Sequence, residues 1–427
     1  MTTLTRDVPR PVLADRDFRL LFTAATVSKI SAQLGTLALP LLAQTVLHAN
    51  PGQVGLLTAL STAAFLLVGL PAGPWVDRMR KRRVLVVSDL VRAVLVGSVP
   101  AAWALDVLTL PQLYVVTLLT GVGTVFFDVA HLSVLPALVG RDRLVAANSA
   151  LASLNTVADV SGRGVGGFVV QLLGAPFAVL ADAVGYLWSA CFLRKLRPAE
   201  SALPARRGGM GDGLRFVLGH PALRPAVLEG ALANFSIQIC QVAFLVLFTS
   251  ELHLPAGVLG LFLAAGGLGA FLGSTAAPAL ARRLGFGRAL WLVGIGVAPF
   301  ALLTALVERG PLLWLAGLGW MVSLFKIGVD NVLLVSFRQQ ITPDGMLGRM
   351  NATTRFLLTG ALAIGGLVAG AIAEYTSVRT ALWVGVTGLA LRWLIGFFSP
   401  VRRMSTMTDT TWRAPAPSEE TTAEQGS

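Results

Sequence analysis

The chain has 427 residues, of which 55% are hydrophobic and only 13% charged, with a formal net charge of +12 and a mean hydropathy of +0.72. Soluble domains carry about a quarter charged residues, so a water-soluble fold of two or three domains is excluded. Lys and Arg fall in short clusters between apolar runs of about twenty residues. That pattern implies a polytopic membrane protein and argues against a nucleic-acid surface, which would gather its cations on one face.

Residues 1–17 are polar, with Arg6, Arg10 and Arg16, and carry no cleavable signal pattern; they read as a cytoplasmic segment. Apolar runs between Gly, Pro and charged breakers predict six spans at about 18–43, 54–76, 84–104, 111–136, 146–173 and 176–194. Six more are predicted at about 224–250, 257–281, 289–307, 312–335, 350–374 and 378–399. The polar stretch 195–223, with Pro198, Pro204, Arg206 and Arg207, is a central cytoplasmic loop. Residues 400–427, rich in Thr, Ser, Pro and Glu, are an expected disordered cytoplasmic tail. The predicted fold class is an all-α membrane protein: twelve transmembrane helices in two pseudosymmetric six-helix bundles, 18–194 and 224–399.

Loop charge sets the orientation. Arg78, Arg80, Lys81, Arg82 and Arg83, then Arg141 and Arg143, the central loop, Arg282, Arg283 and Arg288, and Arg338 and Arg349 mark alternate connections. The connections between them hold almost no cations, so both termini are expected in the cytoplasm. A weak repeat offset by about two hundred residues pairs Gly73 with Gly273, Pro111 with Pro311, Asp128 with Asp330, and Asn148 with Asn351.

Polar side chains are costly in hydrocarbon and so mark cavities or partners. The first span places Lys29, Gln33 and Thr36 on one helical face, and the seventh places Asn234, Gln238 and Gln241 at the same spacing. The two stripes are expected to form opposite walls of one substrate cavity, with interhelical hydrogen bonding as the plainer explanation. Three opposite-charge pairs stand at helical spacing: Asp89 with Arg92, Asp159 with Arg163, and Lys326 with Asp330. The first lies near the basic turn and reads as gate structure. Asp128 and Asp330, with Lys326 as charge partner, are the leading candidates for carrying a coupled proton; Asp182 and Glu229 follow.

The turn after the second span runs from Gly73 through Asp77 and Arg78 to Arg80, Lys81, Arg82 and Arg83. It resembles the signature loop of the major facilitator superfamily, departing at Arg80, where that family usually has Gly. Other segments narrow the likeness: Phe18 and Arg19 with Pro40; Asp89 and Arg92; Phe126, Phe127 and Asp128; Pro136; Ala147 and Asn148; Arg338 and Gln339; Leu347, Gly348 and Arg349. Together they resemble the bacterial drug and siderophore exporter branch. The fifth span has Gly162, Arg163, Gly166 and Gly167, similar to the glycine-rich motif of exporters, with Arg163 where those have Pro.

The resemblance implies a secondary transporter of the bacterial inner membrane that exports a small organic molecule by proton antiport and alternating access. An importer of the same fold is the near alternative, and a non-transporting membrane sensor or scaffold the distant one. The expected partners are the lipid bilayer, a small-molecule substrate and protons, without nucleic acid, and the chain is expected to be a monomer. No enzyme activity, cofactor or metal site is expected: no Gly-Lys pair supports a phosphate loop, and His48, His131, His220 and His253 are scattered. Cys191 and Cys240 both lie in apolar runs, which argues against a disulfide framework.

Overall fold

The computed structural model describes residues 15–139, 144–196, 210–343 and 346–404, and its regular structure there is entirely helical. In the first half run α1 (Arg16–Thr45), α2 (Pro51–Asp77), α3 (Lys81–Ala104), α4 (Leu110–Val139), α5 (Leu144–Leu173) and α6 (Ala175–Leu193). A short α7 (Met210–Gly219) precedes α8 (Leu223–Val246), α9 (Ala256–Leu284), α10 (Phe286–Leu303), α11 (Pro311–Ile341), α12 (Leu347–Tyr375), α13 (Val378–Leu391) and α14 (Trp393–Phe397).

Local chemistry sets the ends. The Asp15 carboxylate accepts from the amides of Asp17 and Phe18 at 3.0 and 3.3 Å, which satisfies two orphan donors of α1. Asn50 and Gln53 bond each other's backbone amides at 2.8 and 2.9 Å, a capping box that starts α2 just before Pro51. α6, α10 and α11 each follow a glycine with positive φ, Gly174, Gly285 and Gly310. Only glycine turns the chain so sharply there without a Cβ penalty.

Ten helical segments among the described residues are long and apolar enough to cross a membrane. α1 and α5 are not among them, although each has 30 residues, about 45 Å at 1.5 Å per residue. Composition is the reason. α1 carries Arg16, Asp17, Arg19 and Lys29, and α5 carries Asn148, Asn155, Asp159, Arg163 and Gln171 among its apolar residues.

Two elements depart from expectation. The central loop holds α7, whose Val217 is buried with Val227 and Met350; residues 197–209 of the loop lie outside the described residues. The last predicted span is broken at Arg392 between α13 and α14, where that side chain turns inward to Asp330 at 2.8 Å. Of the expected tail, 405–427 is likewise outside the described residues, while Pro400–Arg403 forms a 3-10 turn with Val401 buried.

Packing follows the order of the chain. α1 lies on α5 and α6, and α3 lies on α4 and α6, while α2 meets α4. In the second half α9 packs on α11, α8 on α12 and α13, and α10 on α11 and α13. Two extensive seams join the halves, α2 with α12 and α5 with α9. Small residues allow the approach: a Cβ on Gly55 would sit 2.6 Å from Gly370 Cα, and one on Gly167 would sit 2.6 Å from the Ala256 carbonyl oxygen.

Candidate functional site

Between the seams lies a cavity of about 440 Å³, walled by α1, α2, α4 and α6 on one side and by α8, α9 and α12 on the other. Gln33 and Thr36 line it from α1, and Gln238 and Gln241 from α8. Thr58, Ser61 and Thr62 of α2 and Thr117, Thr120 and Thr124 of α4 add a band of hydroxyls, spaced so that each trio shares one helical face. The remaining wall is largely aliphatic, with Phe65 and Tyr186 its aromatic residues. Such a surface suits an amphipathic molecule held by a few hydrogen bonds.

Two members of the polar stripes sit elsewhere. Asn234 donates to the Leu358 carbonyl oxygen at 3.0 Å, so it ties α8 to α12. Lys29 pairs with Asp128 at 3.4 Å, and the other Asp128 oxygen takes Arg355 at 3.3 Å. Asp128 thus links α4 to α1 within its half and to α12 across the cavity mouth. Arg355 also covers the Phe65 ring, 4.7 Å from its centroid. These groups are partly solvated, with Lys29 and Arg355 side chains 38% and 47% exposed, so each pair is weak, on the order of 1 kcal/mol or less.

The opposite end of the cavity is sealed. Beyond the glycine seams, Glu374 accepts from Asn50 Nδ2 and from the Gly52 amide, both at 3.3 Å. Gln44 donates to Ser250 at 2.7 Å and accepts from Thr249 at 2.6 Å. Gln171 accepts from the Gly257 amide at 3.1 Å. The glycines of α5 divide their work: Gly162 and Gly166 face Gln33 and Leu34 of α1, while Gly167 faces Gly260 of α9.

Each half also encloses a buried charge cluster. In the second half, Lys326 Nζ lies 2.8 Å from Glu229 and 2.5 Å from Asp330, and Arg392 reaches the other Asp330 oxygen at 2.8 Å. Two acids face two bases, all almost fully buried, and the set lies off the cavity lining. Asp330 is therefore not the counterpart of Asp128 across the cavity; it is held in a neutral cluster between α8, α11 and the break that separates α13 from α14. Glu229 and Arg392 complete that cluster from helices far away in sequence, which no spacing rule links to Lys326.

In the first half, Arg92 pairs with Asp89 and stands between two rings, 4.6 Å from Phe127 and 4.4 Å from Tyr186. Its guanidinium also donates to Thr124 at 3.3 Å and Ser28 at 3.4 Å. Asp89 and Arg92 are 0% and 2% exposed, so they belong to the interior of α3 rather than to the basic turn. The turn itself exposes Arg78, Arg80 and Arg83. The surroundings of Gly73 and the side chain of Asp77 there, and the side chains of Asp159 and Arg163 in α5, lie outside the described residues.

The family described as transmembrane secretion effector matches residues 10–427. The chain belongs to this family, a branch of the major facilitator superfamily. Over 408 residues it is 26% identical to the enterobactin exporter EntS of Salmonella paratyphi A, covering 92% of this chain and 95% of that one. It is also 26% identical over 356 residues to the multidrug efflux pump Tap of Mycolicibacterium fortuitum, covering 79% and 85%. Its fold matches the nucleoside transporter NupG at a TM-score of 0.71 with 12% identity, covering 90% of this chain and 99% of that one. The protein is thus a multi-pass membrane transporter of the major facilitator superfamily and not an enzyme.

Proposed function

We propose that this transporter exports a small amphipathic molecule across the bacterial inner membrane by alternating access, with protons moving inward. The carrying observation is a cavity between the halves whose two ends differ: glycine seams and hydrogen bonds join the halves beyond one end, and the partly solvated Asp128–Arg355 pair is the contact at the other. A pore would be open at both ends, and a sensor or scaffold has no use for a polar chamber at this depth. The two curated relatives named as exporters support outward transport.

In this reading twelve helices cross the membrane, α13 and α14 together forming the last, and they form two bundles, 18–194 and 224–399, with both termini cytoplasmic. The Arg-rich turns support that orientation, and the sealed end then faces outward. Gln33, Thr36, Gln238 and Gln241 bind substrate, while Lys29 and Asn234 brace the walls. The turn Gly73–Arg83, with Asp77 and Arg78, anchors the cytoplasmic gate, and Asp89 and Arg92 brace α3 from the interior. A monomer suffices, because the whole cavity is built from one chain.

The test uses inside-out vesicles containing the purified protein, acidified within, and two probes, enterobactin and ethidium. Accumulation of either one, abolished by a protonophore and unaffected by ATP, is the expected result. Extrusion from the vesicles in place of uptake would establish an importer. Equal flux with and without the pH gradient would remove the antiport element.

A further inference from the structure

We propose that Asp182 of α6 is the proton-binding carboxyl of this transporter, and that its protonation permits the empty cavity to close and reopen. The proposal deepens the antiport reading and rests on it for its coupling role. The observations are a charge count, an orphaned oxygen and an opening to the cavity.

Among the described residues, three charged ones share the buried cluster of the first half: Asp89, Arg92 and Asp182. Arg92 is committed to Asp89 by direct contact and to Thr124 and Ser28 by hydrogen bonds. Asp182 has no ion pair with a described residue, its Oδ1 has no hydrogen-bond partner, and its residue is 2% exposed. The cluster holds two acids and one base, one negative charge in excess when both carboxyls are ionised. The second-half cluster of Glu229, Lys326, Asp330 and Arg392 has none.

Asp182 also lines the cavity, whereas Asp89 and the second-half acids do not. Gly35 of α1 makes room for it, because a Cβ at that position would overlap the Asp182 carboxylate. The elements packed on α6 are α1, α3 and α5. From α3 it faces Arg92, and on α6 itself the Tyr186 hydroxyl bonds it, with Asp89 on the far side of that hydroxyl. From α1 it meets Gly35, next to Ser31, since the Lys29 ammonium is engaged by Asp128. The charged residues of α5, Asp159 and Arg163, have side chains outside the described ones. Asp128, the other cavity acid, already has two cations, Lys29 and Arg355.

A carboxylate with no cation of its own is costly in a chamber that loses its water, since only the Tyr186 hydroxyl and the committed Arg92 stand beside it. Two events relieve it. A substrate N–H or O–H group can hydrogen-bond the carboxylate, or a proton can bind it and make the cluster neutral. The carrier therefore changes sides either loaded with substrate or protonated, which is the rule that an antiporter obeys. The proton comes from external water when the cavity faces outward and returns to cytoplasmic water when it faces inward, with no other bond made or broken.

The experiment is a difference-infrared titration of the full-length protein in phosphatidylethanolamine and phosphatidylglycerol vesicles, without substrate. Acidification should produce a carboxylic-acid carbonyl band, shifted by deuterium exchange. That band should vanish in Asp182→Asn and persist in Asp128→Asn and Asp330→Asn. In Asp182→Glu, which keeps the acid on a longer arm, it should move in frequency; this variant decides the matter should Asp182→Asn fail to fold. A band unchanged in either Asp182 variant, or lost in Asp128→Asn, overturns the assignment. The readout needs no substrate, so it counts for or against Asp182 alone. Absence of gradient-driven accumulation by the wild-type protein would instead overturn antiport and leave the proton site standing.

Discussion

Gly55→Ala tests whether the sealed end of the cavity opens during the cycle. The added Cβ would lie 2.6 Å from Gly370 Cα, 2.7 Å from the Gly366 carbonyl oxygen and 2.9 Å from the Gly370 amide nitrogen. All three are backbone atoms of α12, so no side chain can rotate aside and the helices must separate. Overpacking of this kind costs about 1–3 kcal/mol. The strain exists only while α2 and α12 touch, so it should shift the population towards the conformer open at that end, by roughly 5- to 150-fold. A reporter is Thr62→Cys, which lines the cavity from α2, in a background with Cys191 and Cys240 replaced by Ser. A membrane-impermeant maleimide applied from outside the cell should label it faster in the Gly55→Ala protein by a factor in that range. Gly296→Ala, where a Cβ meets nothing within 4 Å, should leave the rate alone. A labelling rate unmoved by Gly55→Ala, with the melting temperature lowered, would show that the seam is static packing and would refute the reasoning.

Three further outcomes are expected. Lys326→Met leaves Glu229 and Asp330 buried with Arg392 as the remaining cation of their cluster; removing one partner from a buried set costs about 3–5 kcal/mol, visible as a large drop in the melting temperature of the detergent-solubilised protein. Glu374→Gln weakens the contacts from α12 to Asn50 and Gly52, so external labelling of Thr62→Cys should rise, but less than with Gly55→Ala, because those contacts are solvent-exposed. His220, between α7 and α8, accepts at Nδ1 from the amides of Ala222 and Leu223 at 3.2 and 3.3 Å, and burial holds its imidazole below the ordinary value of 6.5. A His depressed in the folded state binds fewer protons there than when unfolded, so its contribution is present above about pH 6.5 and is lost as the pH falls below that value. Hydrogen exchange across 210–230, corrected for intrinsic rates, should therefore accelerate on acidification, and His220→Ala should remove the pH dependence.

The membrane class was legible in composition alone, because few charges and long apolar runs have no other stable solution in a chain this long. The family was legible in local motifs, since Gly73 to Arg83 and Gly162 to Gly167 are short contiguous signals. Helix limits came within a few residues wherever a breaker stood, as at Asn50, Gly174 and Gly310. Two elements were hidden: α7, ten residues inside a stretch rich in Pro and Gly, and the break at Arg392, which depends on an acid 62 positions earlier.

Pairing across helices was not legible at all. Periodicity fixes which residues share a face of one helix, but not which helix that face meets. Lys326 with Asp330 could be foreseen at a spacing of four, whereas Glu229 and Arg392 joined them only through the packing of α8, α11 and the break between α13 and α14. Asp128 and Asp330 hold matching places in the repeat, yet helix rotation puts one at the cavity mouth and the other in a closed cluster. Asp182 looked like a lesser candidate because nothing at helical spacing pairs with it, and that same lack of a partner, once the fold set it beside the cavity and beside an already committed Arg92, is what distinguishes it. The sequence determined where charge enters the membrane; the tertiary structure decided which charges are neutralised, because neutralisation depends on distances between helices that the chain order does not contain.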